Sequence, residues 1–237
     1  MEIKDGSNAF PLYLYSASDQ KSLFDGNKPT VQQEKRRPNL AETFTKEVAG
    51  KLALQFISDG SGDLQTTFGP EDIFHYMYAI FYSPTYRERY AEFLKIDFPR
   101  LPLTSNLELF RVLCTCGKRL VELHLLERVA KSTTGFQGQG DYTVEKVEYI
   151  PKADQAEAGS VWINKTQSFT DVPAEVWTFY VGGYQVCQRW LKDRKGRALS
   201  LADLKDYQKI VAALGETLAL MEQIDETIED HGGWPIE

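Results

Sequence analysis

Hydrophobic residues in this chain change their period twice. Up to about residue 131 they recur every three or four positions, from about 142 to 182 they alternate, and from 184 to about 230 the longer spacing returns. The longer spacing lays apolar side chains along one helix face, and alternation lays them on one face of a strand. The order predicts an α+β fold. A bundle-like helical part over about 39–131 packs on a small antiparallel β meander over about 142–182. A C-terminal helical part with one long helix follows over about 184–230. A chain of 237 residues accommodates one large domain or two small ones, and we read 1–237 as a single domain.

Local signals refine the helical part. "FPLYLY", Phe10–Tyr15, reads as a buried strand. The polar stretch after it, with the basic cluster Lys35-Arg36-Arg37-Pro38, reads as a loop or connector. Asn39 is placed to cap a helix running to Leu54, with Phe44, Val48, Leu52 and Gln55 on one stripe. Pro70-Glu71-Asp72 opens the next helix, with proline in the first turn and acids beside the N-terminal dipole. Ser83-Pro84 breaks and restarts it. In "HYMYAIFYSPTYRERY", His75–Tyr90, the rings fall at helical spacing. Most are therefore expected in the core, with a binding surface as the alternative.

"IDFPRLPL", Ile96–Leu103, carries two prolines and cannot be regular helix. A long helix is predicted from Thr104, Ser105 or Asn106, with Leu109, Phe110, Leu113, Gly117, Leu120, His124 and Glu127 on one stripe. Gly117 marks either a weak point or a close backbone approach. His124, alone among leucines, reads as a packed side chain rather than a catalyst.

Three strands are predicted next: Tyr142–Ile150, Ser160–Phe169 and Val176–Gly183. In the second, Val161, Ile163 and Thr166 oppose Trp162, Asn164 and Gln167. Gly182-Gly183 is read as turning directly into a helix with Tyr184, Cys187, Trp190 and Leu191 on its buried side. "KDRKGR", Lys192–Arg197, is a basic turn. Ser200 and Asp203 form an approximate capping box for the last helix, whose stripe runs from Leu201 to Ile224.

Several function classes look unpromising. No run approaches the roughly 18 apolar residues of a membrane span. The N-terminus is acidic and polar where a secretory signal is basic and then apolar, so a cytoplasmic location without a membrane partner is expected. Three cysteines make no disulfide framework in a chain this long. The one-residue gap in Cys114-x-Cys116 does not match paired zinc ligands, so buried free thiols and no metal are expected. The phosphate-binding, dinucleotide, nucleophile-elbow and zinc-protease motifs are all missing, and no cofactor is expected.

A net charge of −7 argues mildly against a free-standing nucleic-acid binder. The charge is uneven, however. Arg189–Lys209 holds seven Lys/Arg and three Asp/Glu, whereas Glu216–Asp230 holds six acids and no Lys/Arg. What stands out is a polar and basic set: Asn164, Lys165, Thr166 and Gln167; then Tyr184, Gln185 and Arg189; then Lys192, Arg194, Lys195 and Arg197. Asn and Gln pair with adenine edges, Arg pairs with guanine, and both Lys and Arg neutralise phosphates. A helix starting after Gly182-Gly183 also offers backbone N–H groups to a phosphate. The plainer alternative is a solvated surface.

Two stretches carry a resemblance. They are "FGPEDIFHYMYAIFYSPTYRERYAEFLKIDFPRLPLTSNLELFRVLCTCGKRLVELHLLE" and "VWINKTQSFTDVPAEVWTFYVGGYQVCQRWLKDRKGR". Together they resemble the C-terminal specificity region of type ISP restriction-modification enzymes, and the resemblance covers roughly Phe10 to Ile224. Those enzymes carry nuclease, helicase-like translocase, adenine methyltransferase and target-recognition parts in one chain. The resemblance implies a region that contacts double-stranded DNA and selects its sequence, with no catalytic centre of its own. It also implies methyltransferase and translocase modules as partners. This chain, lacking those modules, is then expected to be an excised domain or the product of a split or decayed gene.

On that reading Lys35, Arg36, Arg37, Arg189, Lys192, Arg194, Lys195 and Arg197 are expected on phosphates. Asn164, Lys165, Gln167, Tyr184 and Gln185 are expected on base edges. Arg87, Arg89 and Arg100 are candidate phosphate contacts from the framework. Two alternatives stand beside it. One is a scaffold docking a methyltransferase or translocase. The other is a remnant methyltransferase with a pocket for S-adenosylmethionine near Asp59–Asp63.

Overall fold

The computed structural model describes residues 10–15, 36–153 and 155–236. Lys35, an expected DNA contact, lies outside them. The described residues fall into two compact units. One holds residues up to Gly117 and those from Glu226 onward, and the other spans Lys118–Asp225.

The first unit opens with β1, Tyr13–Tyr15, antiparallel to β2, Arg36–Pro38. Two sequence expectations change here. Phe10 and Tyr15 are exposed, so this strand is not buried, and part of the expected connector is its partner strand. Helix α1, Glu42–Leu52, starts after Ala41, while the Asn39 side chain instead donates to the Pro11 carbonyl. The capping role expected of Asn39 is therefore not filled. Gln55–Phe56 (β3) pairs in parallel with Thr67–Phe68 (β4), so Gln55, expected on the stripe of the first helix, belongs to a strand after it.

Helix α2, Pro70–Tyr82, has Pro70 in its first turn. Its Asp72 carboxylate accepts the N–H groups of Gly69 and Gly62 at 2.8 and 2.6 Å, which ties the preceding loop to the helix start. Ser83 ends α2 and its hydroxyl caps α3, Pro84–Arg89; the short α4, Ala91–Leu94, follows. Tyr76 and Tyr86 are buried, and their hydroxyls donate to the carbonyls of Pro102 and Arg100 at 2.9 and 2.7 Å. The rings thus hold the proline-rich segment in place, which is a framework role.

Helix α5, Leu107–His124, is capped by Asn106, whose side-chain oxygen accepts the N–H groups of Glu108 and Leu109. A Cβ on Gly117 would lie 1.8 Å from the His75 carbonyl oxygen, so the glycine permits close packing of α5 on α2. Glu127 falls beyond the helix and is exposed.

The second unit is built on a four-stranded antiparallel sheet of order β5-β8-β7-β6. The strands are β5 Gly135–Gln137, β6 Glu148–Lys152, β7 Gln155–Trp162 and β8 Ser168–Pro173. Across it runs an inner row, Tyr149, Val161, Phe169 and Phe136. After β8 come helix α6 Ala174–Thr178, the strands β9 Tyr180–Val181 and β10 Tyr184–Gln185, helix α7 Val186–Lys192 and helix α8 Leu201–Asp230. Tyr207, Val211 and Leu214 of α8 join Val161, Ile163, Phe169, Cys187 and Leu191 in one core.

The meander expectation holds in kind but shifts in place. Thr143–Val147 is irregular, and the strand starts at Glu148. The stretch read as one strand, Ser160–Phe169, is the end of β7, a turn and the start of β8. The stretch read as a third strand is α6 and a short hairpin, and Trp177 stacks on Tyr149 at 5.3 Å. Helix α7 begins three positions after the double glycine, with the two residues of β10 between them.

Asp203 accepts from the Ser200 N–H and hydroxyl at 2.9 and 2.6 Å, and the Asp203 N–H donates back to Ser200 Oγ. The capping box is therefore present, although Leu201 faces solvent. All three cysteines are free and buried, and burial pushes the Cys187 thiol up to about 12. Among the described residues no helix is long and apolar enough to cross a membrane.

Candidate nucleic-acid interface

Three irregular segments of the second unit are stitched together by their backbones. The Val144 N–H donates to the Arg197 carbonyl at 3.0 Å, and the Gly196 N–H donates back to Val144 at 2.8 Å. Glu145 N–H donates to the Ile163 carbonyl at 2.8 Å, and the Asn164 amide donates to the Thr143 carbonyl at 3.0 Å. Residues 142–146 are thus the bridge between the Asn164–Gln167 turn and the Lys192–Arg197 turn. This placement brings together two groups of expected site residues that lie about thirty positions apart in the chain.

The side chains in these turns divide by what already holds them. Arg194 lies over the Trp190 ring at 3.5 Å, donates to the Trp190 carbonyl at 3.0 Å and sits 3.4 Å from Asp203. Arg189 pairs with Asp193 at 2.9 Å and lies 5.3 Å over the Tyr184 ring. Lys192 donates to Gln188 at 2.6 Å. Lys165, Lys195 and Arg197 are exposed and make no side-chain hydrogen bond or ion pair with another described residue. The turns therefore present three unengaged cations.

The expected base readers are mostly committed to the fold. Asn164 Oδ1 accepts the N–H groups of Thr166 and Gln167 at 3.0 and 2.8 Å, the pattern of a side-chain-stabilised turn. Gln167 is fully buried, and its Oε1 accepts from the Tyr142 N–H and the Asn164 amide at 2.9 and 3.0 Å. Gln185 donates to the Trp177 carbonyl. Of this group Tyr184 and Lys165 face solvent. The alternation expected to put Gln167 outside is reversed because the chain turns between Ile163 and Gln167.

Arg36 and Arg37 belong to the first unit. Arg36 pairs with Asp59 at 2.6 Å and stacks over Tyr13 at 3.9 Å, while Arg37 is exposed. Arg87 donates to the Phe81 carbonyl at 2.6 Å. The Asp59–Asp63 loop is tied to side chains outside it: the Gly60 N–H donates to the Tyr13 hydroxyl at 2.9 Å and the Gly62 N–H to Asp72 at 2.6 Å. Asp63 accepts the N–H groups of Gln65, Thr66 and Thr67, and these bonds, Thr66 foremost, hold its carboxyl well below the usual carboxylate range.

Sequence reasoning did not single out the outward row of the sheet. Glu148, Trp162, Ser168 and Gln137 stand side by side there, one from each strand. An open groove lined by Lys146, Glu148, Ile150, Trp162 and Lys165 runs along this face. The signal available in the sequence was the alternation itself, which put Trp162 opposite Val161.

Comparison with known proteins gives a consistent family. The family model described as the type ISP C-terminal specificity domain matches residues 1–223. A solved structure described as the ATP-dependent type ISP restriction-modification enzyme LlaBIII bound to DNA is similar at 21% identity and a TM-score of 0.59, over 90% of this chain. A DrdV–DNA complex is similar at 20% identity and a TM-score of 0.61, over 82% of this chain. The match spans only 13% of the LlaBIII chain and 21% of the DrdV chain. At these identities the likeness establishes a shared fold. No curated protein matches the chain.

Proposed function

The chain belongs to the type ISP C-terminal specificity domain family, and from that membership we propose that it is a non-catalytic module that binds duplex DNA and selects a target sequence. The observation that carries this reading is the trio Lys165, Lys195 and Arg197, left unengaged on two turns that the 142–146 segment ties together. Cations already paired with acids lose that attraction before gaining a phosphate, whereas these do not. Lys192 and Arg37 are secondary phosphate contacts, and Tyr184 is the exposed ring of the original set. Arg194 and Arg36 act mainly as internal struts, whereas Arg189, in a solvent-exposed pair with Asp193, is a further secondary contact. The domain would work beside methyltransferase and translocase modules.

The test is fluorescence anisotropy of the chain with random-sequence duplex DNA across a salt series. Binding should weaken as salt rises, since each neutralised phosphate adds about 0.9 to the slope of log affinity against log salt. The combined Lys165→Ala, Lys195→Ala and Arg197→Ala variant should lower that slope by about two to three. No binding at low salt, or an unchanged slope in the variant, overturns the reading.

A further inference from the structure

We propose that the outward face of β6 and β7 is the base-reading surface, with Lys146 and Glu148 taking one G·C pair and Ile150 taking the methyl group of a neighbouring thymine. This rests on the DNA-binding reading above and assigns the reading step to side chains outside the turns.

The sheet is two-faced. Its inner row is apolar throughout, while its outer row is Glu148, Trp162, Ser168 and Gln137, of which Glu148 and Gln137 are exposed, Trp162 is half-buried and Ser168 is buried. Ile150 shares that outer face, because it pairs with Ser160 two positions along from the Glu148–Trp162 pair. It is 49% exposed, an aliphatic side chain left in water beside a half-buried tryptophan. Such a contact suits the C5-methyl of thymine, which projects into the major groove.

Acid in the groove is the second pointer. Glu148 and Glu145 both line it, and a carboxylate repels phosphates. A carboxylate does accept a hydrogen bond from the cytosine N4 amino group, however. Lys146 donates to Glu148 at 2.7 Å, with side chains 76% and 51% exposed. Guanine O6 and N7 accept from lysine on the same base-pair edge that carries cytosine N4. The pair matches that edge donor for acceptor and acceptor for donor. Its solvent exposure leaves both partners free to exchange each other for the base pair.

Geometry supports entry. A two-stranded β-ribbon fits the major groove. β6 is an edge strand of the sheet, with no further strand on that side among the described residues. Pro151 removes one N–H from β6, which disfavours addition of a strand from a protein partner. Lys165 also lines the groove, so one of the three unengaged cations borders the reading face.

The experiment is selection of binding sites from a randomised duplex pool by the full chain, followed by Glu148→Gln and Ile150→Ala. Both positions are exposed, and circular dichroism would show that the variants fold. Wild type should select a sequence containing a G·C pair next to a thymine. Glu148→Gln should relax the preference at the G·C position by about tenfold or more. Replacing the thymine by uracil should weaken wild type but not Ile150→Ala. Salt slopes should stay unchanged in both variants. If salt-dependent binding persists but selection is absent or identical in all three proteins, the reading face is refuted and the phosphate-binding role stands. If wild type binds no DNA at low salt, both fall together. A face that ignores DNA but whose variants weaken self-association in light scattering would belong to a protein contact instead.

Discussion

Arg119 on α5 holds both carboxylate oxygens of Glu216 on α8, 97 positions later, at 2.6 and 2.8 Å. A guanidinium matched to a carboxylate in this way fixes direction as well as distance. The same Arg119 reaches Glu122 at 3.1 Å, and His124 lies 3.2 Å from the Thr217 hydroxyl in the next turn. The early part of the second unit is thus fastened to its last helix by polar contacts that the helical stripe alone does not reveal.

The Arg119–Glu216 pair is about a quarter to a third exposed. A double-mutant cycle of Arg119→Ala and Glu216→Ala should therefore give a coupling of about 1 kcal/mol in urea unfolding. Arg119→Lys should recover only part of it, because an ammonium cannot make two parallel bonds. A coupling indistinguishable from zero would show that water competes successfully for both partners.

Gly117→Ala should destabilise the first unit. In an exposed helix the change would stabilise by about 1 kcal/mol through helix propensity. Here the new methyl meets the His75 carbonyl oxygen at 1.8 Å, backbone against side chain. The expected cost is about 2 kcal/mol or more, as for an overpacked core. A thermal midpoint equal to or above wild type would contradict the close approach of α5 to α2.

Asn164→Ala and Lys165→Ala should separate architecture from binding. Asn164 supports the turn through the amides of Thr166 and Gln167 and its own donation to Thr143, so its loss should cost about 1–3 kcal/mol. Lys165→Ala should leave stability within about 0.5 kcal/mol and reduce DNA affinity. Equal stability losses in the two variants would mean that Lys165 has a structural partner in solution.

The Ser200 hydroxyl and N–H hold the Asp203 carboxyl below its ordinary value. A depressed folded-state value stabilises the fold above the unfolded-state pKa, roughly 3.9. That contribution is lost as pH falls through the lower folded value. Asp203→Asn should therefore be less stable than wild type at pH 6–7, with the gap narrowing toward pH 3. Ser200→Ala should cost about 1 kcal/mol near neutrality by removing the cap. A gap that is constant from pH 7 to pH 3 would remove Asp203 ionisation from the account.

What could be read ahead of the structure follows from where the information lies. Pro70, Ser83-Pro84 and the Ser200–Asp203 box act within a turn or two of themselves, and they mark the helices where the structure has them. The β region was legible in kind but not in register. The Ile163–Gln167 turn depends on one asparagine side chain folding back on two amides, inside a stretch whose alternation looks unbroken. Val176 and Trp177 have strand-forming side chains, yet packing against Tyr149 and the core selects a helix. At the site, the basic turn was visible as charge. Which cations are unengaged was not, since that is decided by Asp203 and Trp190 for Arg194 and by Asp59 for Arg36.

The paired hydrogen bonds between Val144 and the Gly196–Arg197 segment bear on the thermodynamics of association. A basic loop that is mobile before it meets a polyanion gives up backbone entropy when it docks. Here the backbone under Lys195 and Arg197 is already ordered by its neighbour, so docking restricts only their side chains. Binding should therefore show a modest entropy penalty, and a rate of complex formation limited by encounter rather than by loop rearrangement.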